Sequence, residues 1–451
     1  MNKVFSRILS FGLCAAVLTS VGAVNAAAEI PKSDRAPVVI PIELDRRPLD
    51  ANGRIFTFLG SENVPVHDVF SDELNGEMLN DAIYERNLRT EEMHNVRIEE
   101  VRAPDVLKMA RNATFAADNF FDALTASVTD NIQLAYQGML LDLGTLDKID
   151  LDAQWWSSPL NDETALLWRN YFAAGDILVS DNNAAHLIVY NRGLLERFGI
   201  EDDYAEMAFD GLWTDEEFDE LMMNSTYDID GDAVLSHKSG DIIGVTSGAE
   251  FSGVLGAANR VKSVTVNCES GLLRLWSAKT PANLTELLTH IEKWGLGWQG
   301  EDAYDIFVGG NSAMYIANVG ELSSLYADAD FEVGILPLPK TDARQSVYRS
   351  YVDPSAALTL SVTVMASDLE VTGTVLDTMA QASYKYLTPR YYEIITQNDD
   401  EAAKMLDIIF NGMTVRLDEA IGVEVTEDNA EAAASAVKKL NKALAALRKR
   451  G

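Results

Sequence analysis

From Arg54 to about residue 145, short apolar strands alternate with helices, and this alternation limits the fold more than any other feature. "RIFTFLG" (54–60) reads as a strand, and 72–95 shows helical spacing through Leu79, Ile83 and Leu88. "VRIEEVRA" (96–103) is a second strand, "KMARNATFA" (108–116) a helix, "FFDALTAS" (120–127) a buried strand, and "IQLAYQGMLLDLG" (132–144) a short helix running into a loop. Helices between the strands favour parallel pairing, because a parallel connection needs a crossover long enough to hold a helix. The stretch therefore predicts an α/β lobe with a largely parallel sheet.

A second unit follows. Residues 184–200 read as strand then helix; 213–224 as a helix with Thr214 at the N-cap and Glu217 completing a capping box; 283–295 as an amphipathic helix. "NSAMYIANVGELSSL" (311–325) and "FEVGILPLPK" (331–340) each hold a short apolar strand. Residues 371–395 are helical with a break before Pro389, and 429–450 form an Ala-rich helix with basic residues at its end, where they suit the helix dipole.

The first residues read as an export signal, 1–28: Lys3 and Arg7 precede a mostly apolar run from Ile8 to Val24, and small residues follow for cleavage after Ala26 or Ala28. Residues 29–53, rich in Pro, Asp and Gly, read as a linker. Cys14 lies in the signal, so Cys268 is the mature chain's one thiol and no internal disulfide forms. The expected location is extracellular or cell-envelope associated. The net charge of −34 is spread along the chain and becomes more negative by two once Lys3 and Arg7 are removed. Such a surface repels nucleic acid and anionic membranes.

Catalytic signatures are scarce. "GLGWQG" (295–300) fits GxGxxG but follows a helix instead of a strand, so it reads as a helix C-cap turn. No Walker loop, GxSxG elbow or HExxH occurs, and the five histidines are scattered without ligand spacing. Trp155, Trp156, Trp213, Trp294 and Trp298 lie near turns, where an aromatic face suits the C–H face of a sugar, although core packing is the ordinary role of a tryptophan.

"YDIDGDAVLSHKSGDIIG" (227–244) places Asp228, Asp230 and Asp232 at alternate positions, as a calcium loop begins. Position six is Ala233 instead of Gly and position twelve is Ser239 instead of Glu, while Asp241 offers a late carboxylate. A solvated Asx turn and a structural divalent-ion site, with Ca2+ as the ion, both remain open here.

An ordered set of segments carries a resemblance: "NGEMLNDAIYERNLRTEEMHNV", "LAYQGMLLDLGTL", "WWSSPLN", "YNRGLLERFGIEDDY", "GLWTDEEF", the acidic loop, "NSAMYIANVGEL" and "VGILPLPKTDARQSVYRSYVDP". Over roughly residues 54–420 the chain resembles the extracellular solute-binding proteins of bacterial ABC importers, in the family-one, maltose-type group common in clostridia-like bacteria. Ala233 departs from that pattern, which has a second Gly there, and no lipid-anchor cysteine is present. The resemblance makes the acidic loop a family turn in which any metal is structural.

The resemblance implies a two-lobed, type II periplasmic-binding-protein-like α/β fold with hinge-linked lobes around a ligand cleft. Residues 54–145 with 303–360 would form lobe 1, and 146–302 with 361–451 lobe 2. Ligand groups would be Glu62, Asn63, Ser127, Asp130, Asp181, Asn182, Glu250, Phe251, Trp298, Asn318 and Glu321, with Asp130 and Asp181 as paired acceptors for vicinal hydroxyls. The implied partners are a small-molecule solute, a sugar or oligosaccharide, and the membrane subunits of an ABC permease; the protein would be monomeric and not an enzyme. An exported glycosidase is the alternative, requiring two cleft carboxylates at hydrolytic spacing.

Overall fold

The computed structural model describes residues 47–64, 68–156, 158–275, 279–423 and 430–447. The expected export signal and most of the linker lie outside the described residues. The described end of that linker is fastened down: Leu49 N donates to His94 Nδ1 (3.1 Å), Ala51 N to His94 O (2.9 Å) and Gly53 N to Asn95 O (2.8 Å).

The first half of the molecule begins as the alternation predicts, with β1 (Arg54–Ser61), α1 (Met78–His94), β2 (Val96–Ala103), α2 (Val106–Ala116), β3 (Ala123–Ser127) and α3 (Val128–Tyr136). β1 pairs in parallel with both β2 and β3. A short helix α4 (Pro159–Glu163) leads to β4 (Phe172–Ala173).

The chain then enters a second sheet through β5 (His186–Asn191). α5 (Asp215–Asn224), β6 (Ile243–Ser247), α6 (Phe251–Ala258), the hairpin β7 (Val264–Val266) and β8 (Leu273–Leu275), α7 (Ala282–Lys293), β9 (Gly297–Gln299), β10 (Ser312–Asn318) and β11 (Val333–Leu336) follow. β12 (Ser350–Val352) precedes the return of the chain to the first sheet as β13 (Leu358–Ser361). The long helix α8 (Leu369–Thr396) packs along α1, and the next helix, Asp400–Phe410, packs beside β11 of the second half. β14 (Met413–Val415) pairs with β12, α9 (Leu417–Ala420) follows, and α10 (Ala430–Leu447) ends the described chain. The sheet orders are β2-β1-β3-β13-β4 and β11-β5-β10-β6-β9. No helix among the described residues is long and apolar enough to cross a membrane.

The sheets divide the chain differently from the expected 54–145/303–360 and 146–302/361–451 partition. β10 and β11 belong to the second sheet, whereas β4, β13 and α8 belong with the first. The reason is pairing. β10 is almost wholly buried and satisfies both of its edges inside the second sheet, antiparallel to β5 and parallel to β6. The small β12–β14 sheet packs on β5 and α6 of the second half, so the chain passes between halves at 174–185, at 353–357 and just after α8, where Gln397 and Asn398 both hold left-handed backbone (φ 51° and 65°).

Two local readings also change. Thr214 occupies the N-cap of α5 but makes no capping bond; it bridges to Lys340 instead. Pro389 lies inside an unbroken α8 in which every residue from Val371 to Ser383 is buried, so packing holds a helix that the sequence alone would interrupt. The Gly295 reading stands: it follows α7 at φ 71°, and Leu296 N returns to His290 O.

Candidate functional site

In open α/β sheets, ligands bind outside the carboxyl ends of the strands. On the first sheet those ends are Ser61, Ala103 and Ser127. Glu62 and Asn63 are exposed there: Glu62 N donates to Ala103 O (3.0 Å) and Asn63 Nδ2 to Pro104 O (3.1 Å), so the loops after β1 and β2 form one rim. Ser127 caps α3 by accepting from Asp130 N (3.1 Å). Burial raises the Asp130 carboxyl, the Ser127 bond opposes that rise, and the like charge of Asp105 adds to it.

Asp181 does not share that setting. It is 2% exposed, and burial pushes its carboxyl well above the usual carboxylate range, helped by the like charges of Asp68 and Asp176. Asp68 accepts from Val179 N (3.1 Å) and from the Ser180 hydroxyl. Thr388 Oγ1 donates to Asp176 (2.6 Å), whose carboxyl burial lifts to about 7. Arg86, fully buried on α1, donates to Ile177 O and Ser383 Oγ (both 3.1 Å); burial lowers its guanidinium to about 10, against the pull of Asp68. This network fastens 176–181 to the first half. Asp130 and Asp181 stand in different surroundings, so the expected pair of acceptors is not assembled by these two.

Asn182 is half-buried beside Asp181. Asn183 accepts from Tyr391 OH (2.7 Å) and underlies Gly320, while Val319 N donates to Ala185 O (2.9 Å). The structure thus brings 181–183 against 318–321. Asn318 and Glu321, however, close a capping box on each other, and Tyr315 OH also donates to Glu321 (2.8 Å), so both have structural work.

Phe251 and Trp298 meet at a cavity of about 300 Å³ on the second half, walled also by Leu235, Ile291, Glu292 and Gln299. Phe251 is buried; Trp298 is 39% exposed on the edge strand β9 and donates through Nε1 to Asp302 (2.8 Å). Of the other tryptophans, Trp156 and Trp213 are core residues, Trp155 and Trp156 both donate to Asp377, and Trp294 stacks on His290.

A polar group that sequence reasoning missed lies between the halves. α9 packs against α3 of the first half. Arg416, just before α9, bonds Asp418 (2.8 Å) and Glu419 (2.7 Å); Tyr351 OH donates to Glu419 (2.6 Å), and His186 Nδ1 lies 3.1 Å from Tyr351 O. Arg416 Nη1 borders Gly253 in the first turn of α6, the turn that Glu250 precedes. Arg416 Nε and Asp418 Oδ1 are buried without a partner, although Asp418 is only 1% exposed. Buried polar atoms of this kind call for a partner, which can be water, an ion or a ligand group. Nothing local in "TVRLDEAIG" (414–422) marks it; the tertiary fold creates the site.

In the acidic loop, Asp228, Asp230 and Asp241 each bring a carboxylate oxygen within 4.8 Å of the others, while Asp232 turns to Val234 N (2.7 Å). Asp228 accepts from Gly231 N and Ala233 N, and Asp241 from Ile229 N, Ser236 N and the Ser239 hydroxyl. Backbone N–H groups, Ser236 first, hold Asp241 below the usual carboxylate range. Ala233 takes φ 65° despite its Cβ. Three oxygen donors are of the kind calcium accepts, and the loop also holds its shape by its own hydrogen bonds.

No family model and no curated protein matches the sequence. Solved structures match over most of the chain. UspC of M. tuberculosis is 14% identical, with 86% of this chain and 100% of that one covered and a TM-score of 0.55. The ABC substrate-binding protein Lmo0181 of Listeria monocytogenes, solved with cycloalternan, is 13% identical (88% and 94% covered, TM-score 0.51). Apo RafE of Streptococcus pneumoniae is 13% identical (88% and 98% covered, TM-score 0.51). At these identities the likeness is one of fold: the chain has the two-lobed α/β architecture of type II solute-binding proteins.

Proposed function

We propose that this chain is the exported solute-binding component of an ABC importer, that it captures a carbohydrate between its halves, and that it delivers it to a membrane permease. The observation that carries the reading is the polar group at Tyr351, Arg416, Asp418 and Glu419, set between α3 and α6, in a fold shared with a substrate-binding protein solved with cycloalternan. Such donors and acceptors suit sugar hydroxyls. A solute touching both halves binds the closed form better and shifts the population toward it. The acidic loop serves shape in this reading, and a cation there would be structural.

A thermal-shift screen over mono- and oligosaccharides tests the proposal. A ligand at about 100 times its Kd stabilises by about 2.7 kcal/mol. The reading expects such a shift with at least one carbohydrate and no turnover of it. Hydrolysis of the ligand would favour the glycosidase instead.

A further inference from the structure

We infer that Glu163 and the residues after it form a clasp that holds the two halves shut before any solute arrives. The inference rests on the reading of the halves as bodies that move against each other.

α4 lies at the seam of the halves, packed against both β4 and β14 and tied to the first half through Asn161. Asn161 within it donates to Trp156 O (2.8 Å) and Ala174 O (3.0 Å) and accepts from Ala174 N (2.8 Å), and Trp156 and Ala173 lie in that half's core. At the end of α4, the Glu163 carboxylate reaches out of its own half. It accepts from Lys262 Nζ (2.7 Å), Arg349 Nη1 (3.1 Å), Thr414 Oγ1 (2.7 Å) and Val415 N (3.1 Å). Those donors come from three separate segments of the second half: the chain after α6, the approach to β12, and β14. In a chain with 36 Lys and Arg against 70 Asp and Glu, two cations on one carboxylate is a concentrated use of scarce charge. Both cations and Glu163 are only about one-fifth exposed, so water screens them weakly.

The contact continues along the chain. Leu167 N donates to Gly271 O (2.8 Å) and Trp168 Nε1 to Cys268 O (3.2 Å), which joins 167–168 to the turn of the β7–β8 hairpin. Leu167 and Trp168 both hold left-handed backbone (φ 54° and 60°), a strained state that persists only where the surroundings enforce it. Gly271 has φ 68°, and a Cβ there would stand 2.5 Å from Leu167 Cα, so only glycine permits the approach. From the other side, Asn441 of α10 both donates to and accepts from the backbone of Leu273 (2.7 and 2.8 Å), and α10 itself packs on α3 of the first half. The hairpin is thus gripped from two sides by elements that touch the first half. Separating the halves must strip Glu163 of its four donors.

The consequence is a closed population set by the protein itself. Because a solute's apparent affinity scales with the fraction already in the binding-competent form, releasing the clasp weakens capture without touching the solute's own contacts.

Small-angle scattering on the ligand-free full chain tests this. Glu163→Gln is expected to raise the radius of gyration through a roughly tenfold or larger shift in the open-to-closed ratio, the effect of losing charge-assisted bonds. The exchange Glu163→Lys with Lys262→Glu should recover part of the compaction. A variant with a lowered Tm but an unchanged radius would reduce Glu163 to a static ion pair and overturn the inference. Should Glu163→Gln fail to fold, Lys262→Gln, which removes one of the two cations and leaves the carboxylate its other donors, gives the same test: the radius rises if the clasp holds the halves, and constancy contradicts it. No solute enters either measurement. A failure here leaves the solute-binding reading standing, and a failed sugar screen leaves the clasp standing.

Discussion

Asp215 offers a quantitative test of the packing of the second half. It opens α5 at 1% exposure; its carboxyl oxygens accept from Asn259 Nδ2 (3.1 Å) and Asn283 Nδ2 (3.2 Å), and its backbone N donates to Lys340 O (2.8 Å). Burial raises the carboxyl to about 7 from an ordinary 3.8; the Asn259 bond opposes the rise, and Asp219 and Asp342 add to it. A folded-state pKa above the unfolded one means that the native state binds the extra proton. Its stabilising contribution is therefore full below the unfolded value and is lost as pH rises from about 4 through about 7. The shift corresponds to about 4 kcal/mol as an order of magnitude, at about 1.4 kcal/mol per pH unit. Asp215→Asn keeps an acceptor for Asn259 and does not titrate. Urea unfolding of both proteins across this range should show the variant gaining on wild type as pH rises, with the difference levelling above about pH 8. A difference that stays flat with pH would refute the assignment of a raised pKa to Asp215.

Other expectations follow from single residues. Ala233→Gly removes a left-handed alanine and should stabilise the protein by about 1 kcal/mol in urea unfolding. Arg86→Ala leaves Asp68 buried without its cation and strips Ile177 O and Ser383 Oγ of a donor, which should destabilise by about 3–5 kcal/mol. Arg416→Ala should abolish the Tm rise given by any carbohydrate that wild type binds, whereas Phe115→Ser, on an exposed face, should leave that rise intact.

The first half was largely legible because its signals are local. Period-two and period-3.6 apolar spacing marked β1, α1, β2, α2, β3 and α3, and a helix between strands favours parallel pairing. The division of the chain between halves was not legible, because β10 and β13 differ in which distant strand they pair with and not in any local pattern. Pro389 misled for a similar reason: the burial that sustains α8 comes from packing against α1. Glu62, Asn63 and Ser127 were named through the resemblance, and the structure places them at the carboxyl ends of β1 and β3. Asp181 has the residue type of a ligand group, yet the fold buries it among Asp68, Asp176 and Tyr391. Arg416 and Glu419 carry no motif, Tyr351 lies in a segment read only for its resemblance, and β12–β14 pairing brings the three together.

The central claim is that two halves close on a captured sugar. Scattering measured with and without a carbohydrate that shifts the Tm tests it most directly. The account predicts a smaller radius of gyration in the bound protein, with the clasp-free Glu163→Gln variant showing the larger change. A radius unaltered by a bound sugar in both proteins would contradict it.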